Sequence, residues 1–395
     1  MHRYKLQVKR EKALFRGIRE ARARRVPLEL IVKANGSKEK IAGELEKVGK
    51  VKHVFEFIPY ISFACDASDA EGINRALNRE ATSNGYKALG KLISAIEVSS
   101  KVAIPKPKIS AKSYGSWNLE NIGAYEAQKI SCGETVRIGV IDTGVDYEHP
   151  EISYRFGSRK GFNFVDGTMP LDKNGHGTHV AGVIAGAGCG IATACELYSL
   201  KVLDRNGEGN EADTMAAIEW ALKNEVDVVN MSLGSPVASR ALEDICYYAA
   251  SRGLILVAAA GNNGYGPSYP ASFDDAVISV AAVDSRNRHA DFSNIYETND
   301  ISAPGVHITS CYLGGYATLS GTSMAAPHVT GSIGLAIPVA REKDVEELMK
   351  KTALPLGDEE EYGAGLLKAD KMVAEAAARV DYAKAILQMA KKVVW

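Results

Sequence analysis

Between residues 136 and 283 the apolar residues fall in short, nearly unbroken runs rather than in alternation. Runs at 136–141, 197–203, 226–231, 254–260 and 277–283 have the length of strands and no polar face, the pattern of parallel strands buried on both sides. Segments 212–224, 242–252 and 345–351 carry helical spacing and suit the covering layers. These elements predict an α/β fold: a mostly parallel sheet flanked by helices.

Residues 27–103 read differently. Strand-like 28–32, helical 38–48, two strands within 53–65 bent at Pro59, helical 67–79 and a returning strand in 92–102 give the order β-α-β-β-α-β, a small α+β, ferredoxin-like domain. Pro105-Lys106-Pro107-Lys108 then reads as a stiff, extended linker. The expected organisation is a leader over 1–26, the small domain with its linker over 27–108, the α/β domain over 109–379 and a helical extension over 380–395.

Composition narrows the class. With 395 residues and 46% apolar content the chain can bury large cores, and no stretch approaches the ~20 apolar residues of a membrane span. The net charge of −1 conceals an asymmetry: residues 1–25 hold ten Lys/Arg against two Glu, a net of +8, so the remainder carries −9. That basic leader lacks the apolar segment of a secretory signal, so a cytoplasmic protein is expected. Leu14, Phe15, Ile18 and Ala21 recur at helical spacing. Binding to an anionic surface, docking on the acidic body of the same protein, and a solvated, frayed terminus all fit them. Six cysteines make neither a disulfide framework nor a zinc site. Cys189 and Cys195 flank a Gly-rich turn and are the pair that can approach and oxidise. Nothing calls for a nucleic-acid partner.

Three separated motifs carry the chemistry. The strand at 136–141 delivers Asp142 at its carboxyl end, where open α/β sheets place their sites. His176 lies between two glycines ahead of an apolar helix, and Ser323 follows Gly321 at the start of a small-residue helix, where backbone N–H groups lack partners. A serine hydroxyl is a poor nucleophile until an imidazole takes its proton and a carboxylate orients that imidazole. Asp142, His176 and Ser323 are therefore the candidate triad. Asn262, in the turn after the strand at 254–260, is the candidate oxyanion donor beside the Ser323 N–H. His176 and His179 have the spacing of a metal pair, but no third ligand follows with suitable spacing, and His179 reads as structural. An esterase would need Gly-x-Ser-x-Gly and the order Ser, acid, His, and the chain has neither.

At these residues the chain resembles the subtilisin-like serine proteases, or subtilases, over roughly 114–379. The likeness runs through 140–146 with His149-Pro150, 174–182, 227–234, 258–264, Ala303-Pro304-Gly305, 321–329 and Tyr362-Gly363-Ala364-Gly365-Leu366. It implies an endopeptidase acting on extended polypeptides. Gly207-Glu208-Gly209, Ser232-Leu233-Gly234 and Ala259-Ala260-Gly261 would be the backbone edges that take up substrate as an added strand. It implies no cofactor for the chemistry. The family's tight calcium loop is shortened here to 186–190, and Glu151 replaces its usual Asp, so that site looks absent; the acidic clusters 204–213 and 358–361 could hold structural calcium but read rather as solvated loops. Glu208 and Glu211 suggest subsites that favour basic side chains. The resemblance also makes the small domain a propeptide that assists folding and inhibits the enzyme intramolecularly until self-cleavage near Lys108; a permanent accessory domain is the alternative.

Overall fold

A computed structural model describes residues 2–78, 84–104, 115–340 and 345–380. The chain forms two compact units: Met1–Lys101 with Asn210–Glu219 and Val237–Tyr248, and Val102–Gly209 with Trp220–Pro236 and Ala249–Trp395.

In the first unit, α1 (His2–Arg24) precedes β1 (Leu28–Ala34), α2 (Lys38–Leu45), β2 (Gly49–Val54), β3 (Tyr60–Cys65), α3 (Ala67–Leu77), α4 (Asn84–Leu92) and β4 (Ile93–Val98). The strands form an antiparallel sheet in the order β2-β3-β1-β4. Helix α4 was not anticipated; Gly85 and Gly90 dilute its periodicity, and the carbonyl of Ala76 lies where a side chain at Gly90 would stand. The leader is a helix whose Leu14, Ile18 and Ala21 are buried in the same core as Leu30, Val32, Ile61 and Phe63, while Phe15 stays exposed. The segment is therefore neither frayed nor docked by charge on the acidic body: its apolar stripe packs into the small domain's own core, and Arg22 adds an ion pair to Glu71 at 2.7 Å.

The sheet's other face mixes polar residues with the buried Ile31 and Tyr60 and meets segments 210–219 and 237–248 of the same unit. Tyr60 Oη donates to Asp244 at 2.8 Å, Arg240 N–H to Glu97 at 2.9 Å, and Ala212 N–H to Ser99 Oγ at 3.1 Å. Glu219 accepts the backbone N–H groups of Glu56 and Phe57 at 2.5 and 2.9 Å. Phe57 stacks on Tyr248. Glu211, expected in a substrate subsite, is instead buried at 1% exposure with its N–H bonded to the Ser100 carbonyl; only Glu208 stays at the surface.

The chain then adds β5 (Lys101–Ala103), α5 (Trp117–Asn121), α6 (Ala124–Gln128), β6 (Arg137–Asp142), β7 (Gly161–Asn163), α7 (His176–Ala185), β8 (Glu196–Lys201), β9 (Glu208–Asn210), α8 (Glu211–Lys223), β10 (Val228–Met231), α9 (Arg240–Ser251), β11 (Ile255–Ala259), β12 (Ile278–Val283), β13 (Ile301–Pro304), the hairpin β14 (Ile308–Tyr312) and β15 (Gly315–Leu319), α10 (Thr322–Ala336), α11 (Val345–Thr352) and α12 (Glu359–Tyr362). Seven of these strands form a parallel sheet in the order β13-β12-β11-β10-β6-β8-β7. The expected α/β architecture is thus present. On one side of β6 the strands run outward in chain order, β10 to β13, and on the other β8 and then β7; the chain crosses β6 between β8 and β10, so Asp142 at its end lies beside the point where the winding reverses, the usual position for a site in such sheets. The predicted extension over 380–395 and the linker near Lys108 lie outside the described residues, apart from Val380 at the end of a helix over 369–380.

Candidate active site

Asp142 and His176 meet in the interior. His176 Nδ1 lies 2.8 and 3.0 Å from the two Asp142 carboxylate oxygens, and both residues are essentially inaccessible. A carboxylate can only accept, so Nδ1 carries the hydrogen and Nε2 keeps a basic lone pair. The approach is made possible by glycine: a Cβ on Gly177 would stand 2.1 Å from the Gly144 carbonyl oxygen and 3.1 Å from Asp142 Cβ. Gly175 caps α7 at φ 103°, against the Tyr312 ring.

A carboxylate that sequence reasoning missed fastens this corner. Asp172 accepts from the hydroxyls of Thr143 (2.9 Å) and Thr178 (2.7 Å) and from the backbone N–H groups of Asn174 (2.8 Å), Gly175 (3.0 Å) and Thr178 (3.0 Å). Thr143 Oγ1 also receives the Gly177 N–H at 3.0 Å, and Thr178 Oγ1 the Asp146 N–H at 2.9 Å. Behind them the buried Lys201 ammonium donates to the Leu203 carbonyl at 2.7 Å and to the Thr143 carbonyl. Burial pushes its pKa down, against the pull of Asp172 and Asp142.

Ser323 is the second residue of α10, a helix buried along its whole length. Its hydroxyl donates to the Ser232 carbonyl at 3.2 Å rather than to His176, the looser arrangement common without substrate. Pro327 lies further into α10 than a first-turn position and removes the N–H that would bond the Ser323 carbonyl. Ser232 Oγ supplies that bond instead at 2.8 Å. Asn230 Nδ2 donates to the same hydroxyl at 2.8 Å, and Thr330 Oγ1 donates to Asn230 Oδ1 at 2.9 Å. The predicted edge residue Ser232 therefore grips Ser323 through both its hydroxyl and its carbonyl.

Asn262 is oriented without ambiguity. Its Oδ1 accepts the Thr322 N–H at 2.9 Å and the Thr322 hydroxyl at 2.7 Å. A backbone N–H can only donate, so the oxygen faces Thr322 and the amide hydrogens face away. Thr322 Oγ1 in turn accepts the Gly261 N–H at 3.2 Å. Each of the three motifs carries a threonine beside its key residue, Thr143, Thr178 and Thr322, and this repetition was the available signal for the network.

Asn262, Thr322 and Ser323 line a cleft of about 190 Å³ with Leu233, Gly234, Ala259 and Gly261. The chain itself enters it. Ala103 pairs antiparallel with Gly234, N–H to carbonyl at 3.3 and 3.4 Å, and Ile104 N–H reaches the Gly207 carbonyl at 3.1 Å. Gly207 has φ 75°, and a Cβ there would stand 2.4 Å from Ile104 Cγ1, so both conformation and proximity call for glycine. Ala260 is drawn back into the sheet by its N–H to the Val280 carbonyl, and Glu208 is exposed.

His179 donates through Nε2 to the Ile308 and Ala317 carbonyls at 3.0 and 3.2 Å, a structural role. Cys189 does not approach Cys195, which is buried elsewhere; its sulfur lies 3.8 Å from that of Cys311.

Residues 133–365 match the model of the Subtilase family. The chain is 36% identical over 351 residues to the alkaline protease of Shouchella clausii, 86% of each chain. It is 41% identical over 266 residues to Subtilisin Savinase of Lederbergia lenta, covering 64% of this chain and 97% of the relative. It is 41% identical over 251 residues to Subtilisin E of Bacillus subtilis (strain 168), 60% and 65%. The cytoplasmic expectation is corrected by these relatives, which are secreted, extracellular proteases; a charged first segment that packs as a helix says nothing about compartment. Sharing both the family's sequence pattern and its sheet, the chain belongs to the subtilases and is a subtilisin-like serine endopeptidase with polypeptide substrates.

Proposed function

We propose that Ser323 attacks the scissile carbonyl, His176 Nε2 takes the hydroxyl proton and returns it to the leaving amine, and Asp142 holds the imidazolium. The developing oxyanion lies against Asn262 Nδ2 and the Ser323 N–H, which as a first-turn donor of α10 has no helical partner. Water then repeats the cycle on the acyl-enzyme. The observation that carries the reading is the Asp142–His176 hydrogen bond at 2.8 Å in the unit whose cleft Ser323 and Asn262 line.

No cofactor is needed, because side chains supply acid, base, nucleophile and oxyanion donor. Glu151, standing where the resemblance implies the family's usual Asp, is already engaged: one oxygen accepts the Gly188 N–H at 2.6 Å and the other the Tyr316 hydroxyl at 2.7 Å. Asp204 and Asp358 likewise accept backbone N–H groups of their own turns. These carboxylates suit protein donors better than a hard cation wanting six or more oxygens.

The protein is a self-processing proenzyme, with residues 27–108 as its inhibitor. Ala103 and Ile104 occupy the edges at Gly234 and Gly207 that an extended substrate would use, and tethering holds them there at high effective concentration. Incubating wild type and Ser323→Ala and determining their N-termini by mass spectrometry tests both parts. Wild type is expected to lose about a hundred residues, as the place of the linker dictates, and then to react with a serine-directed phosphonate. An intact wild-type chain would remove the processing; matured enzyme inert to the phosphonate would remove the nucleophile.

A further inference from the structure

Two cysteines that peptide hydrolysis does not use lie at the far end of the histidine helix. Cys189 sits in the turn after α7 and is half-buried; Cys311 is on β14 and fully buried. Their sulfurs are 3.8 Å apart, and among the described residues no other two cysteine sulfurs meet. Glycines make the space. A Cβ on Gly182 would stand 2.7 Å from Cys311 Sγ and 2.3 Å from Ser310 Oγ, and one on Gly186 would stand 2.6 Å from Cys189 Sγ. The two glycines lie one helical turn apart, so the end of α7 is recessed to take both thiols.

We propose that Cys189 and Cys311 are a redox-modifiable pair that closes to a disulfide on meeting a low-molecular-weight disulfide, clamping the end of α7 to the β14–β15 hairpin. The thiols differ in the way exchange requires. The contact with Cys311 lowers the pKa of Cys189, and the same contact raises that of Cys311. The Cys189 thiolate attacks the small disulfide, whose S–S bond breaks and whose first half leaves as thiolate. Cys311 then attacks Cys189 Sγ, the mixed disulfide breaks, and the second half leaves. The two protein protons end on the two released thiols: one disulfide is reduced and one is formed. Closure from 3.8 Å to the ~2.05 Å of an S–S bond draws on the 186–190 turn, whose Ala187 and Gly188 are exposed and which Glu151 holds through their N–H groups.

The clamp reinforces contacts already present. His179 on α7 is held by the Ile308 and Ala317 carbonyls, and Ser310 Oγ donates to the His179 carbonyl at 2.9 Å. Cross-linking residues so far apart in sequence constrains the unfolded chain strongly.

The test uses the full-length Ser323→Ala protein, which cannot digest itself under the reading above. It is purified reduced, equilibrated with oxidised or reduced glutathione, alkylated and mapped by mass spectrometry, with melting followed in parallel. The oxidised sample should lose the mass of two hydrogens, yield a linked Cys189–Cys311 peptide and melt several degrees higher. Adding Cys189→Ser or Cys311→Ser should abolish both the link and the shift. Recovery of both peptides separately alkylated after oxidation, a Cys189–Cys195 link, or a link that leaves melting unchanged would overturn the proposal.

Discussion

Thr322 holds the Asn262 carboxamide by two bonds to one oxygen, 2.9 Å from its N–H and 2.7 Å from its hydroxyl, and so aims the amide hydrogens without touching them. Thr322→Val keeps the shape and the backbone bond but removes the hydroxyl. The expected result is a fall in kcat of roughly fivefold with KM little changed, since about 1 kcal/mol of orientation is lost. Asn262→Ala should cost about 10²–10³. Steady-state kinetics on a chromogenic peptide separates the two; equal losses would mean that Thr322 acts on more than the amide.

Asp172 gathers five donors, four from the segment 174–178 that presents His176 and one from Thr143 beside Asp142. In Asp172→Asn one oxygen becomes a donor facing donors, so stability should fall by roughly 3 kcal/mol. Turnover should fall as well, because the Asp142–His176 geometry hangs on Thr143 and Gly177. Denaturant melts and kcat measured together check both.

Gly177→Ala sets two effects against each other. Helix propensity favours alanine by about 1 kcal/mol. The new methyl would nevertheless stand 2.1 Å from the Gly144 backbone oxygen, and overpacking of that kind typically costs about 1–3 kcal/mol. Lower stability and a displaced imidazole, read as lost activity, are expected; a more stable enzyme would show that the loop at Gly144 can yield.

Two buried imidazoles set an acid limit on stability. His328 donates through Nδ1 to the Met324 carbonyl and accepts from Asn118 through Nε2, both at 2.8 Å, an arrangement only the neutral ring satisfies. Burial pushes it down to about 4. His179 is pushed down to about 3, by burial and then by the neighbouring His176 imidazole. Unfolded, both titrate near 6.5. Between those values the unfolded chain binds protons that the folded chain refuses, so stability is fully present above about pH 6.5 and is lost as pH falls toward the folded values. Urea midpoints of Ser323→Ala should therefore drop between pH 7 and pH 5; equal midpoints would contradict the assignment.

The leader helix is part of the first unit's core. Ile18→Asp buries a carboxylate among Leu14, Leu28 and Val98 and should destabilise that unit by roughly 3 kcal/mol. Limited proteolysis should then release residues 1–101 faster than from the parent; unchanged kinetics would mean that the helix contributes nothing there.

The interior strands were legible because both faces are buried: β11 reads as an unbroken apolar run and β12 as one interrupted only by Ser279. The strands at the sheet's margins were not. β7 spans three residues with a glycine and an asparagine, and β13 ends in Pro304, tolerated because an edge strand need not donate on its open side. The hairpin β14–β15 mixes Thr, Ser and Cys with apolar residues and has no continuous face to announce it. At the site, Asp142, His176, Ser323 and Asn262 were visible from their immediate neighbours. Lys201 reaches Thr143 and Thr322 reaches Asn262 across long stretches of sequence, which spacing alone does not reveal, and Asp172, though it bonds mostly to residues two to six positions on, looks in sequence like an ordinary loop aspartate. Cys189 was paired with Cys195 because a short turn lies between them, whereas a neighbour across the fold took its place.

All fifteen residues of α10 are buried, so the rod that carries Ser323 has no solvent-facing side from which to melt alone. Its amide hydrogens should be among the last to exchange with deuterium. Heat inactivation should accordingly coincide with collapse of the whole sheet rather than precede it: a molecule of this enzyme stays armed until the moment it ceases to be folded.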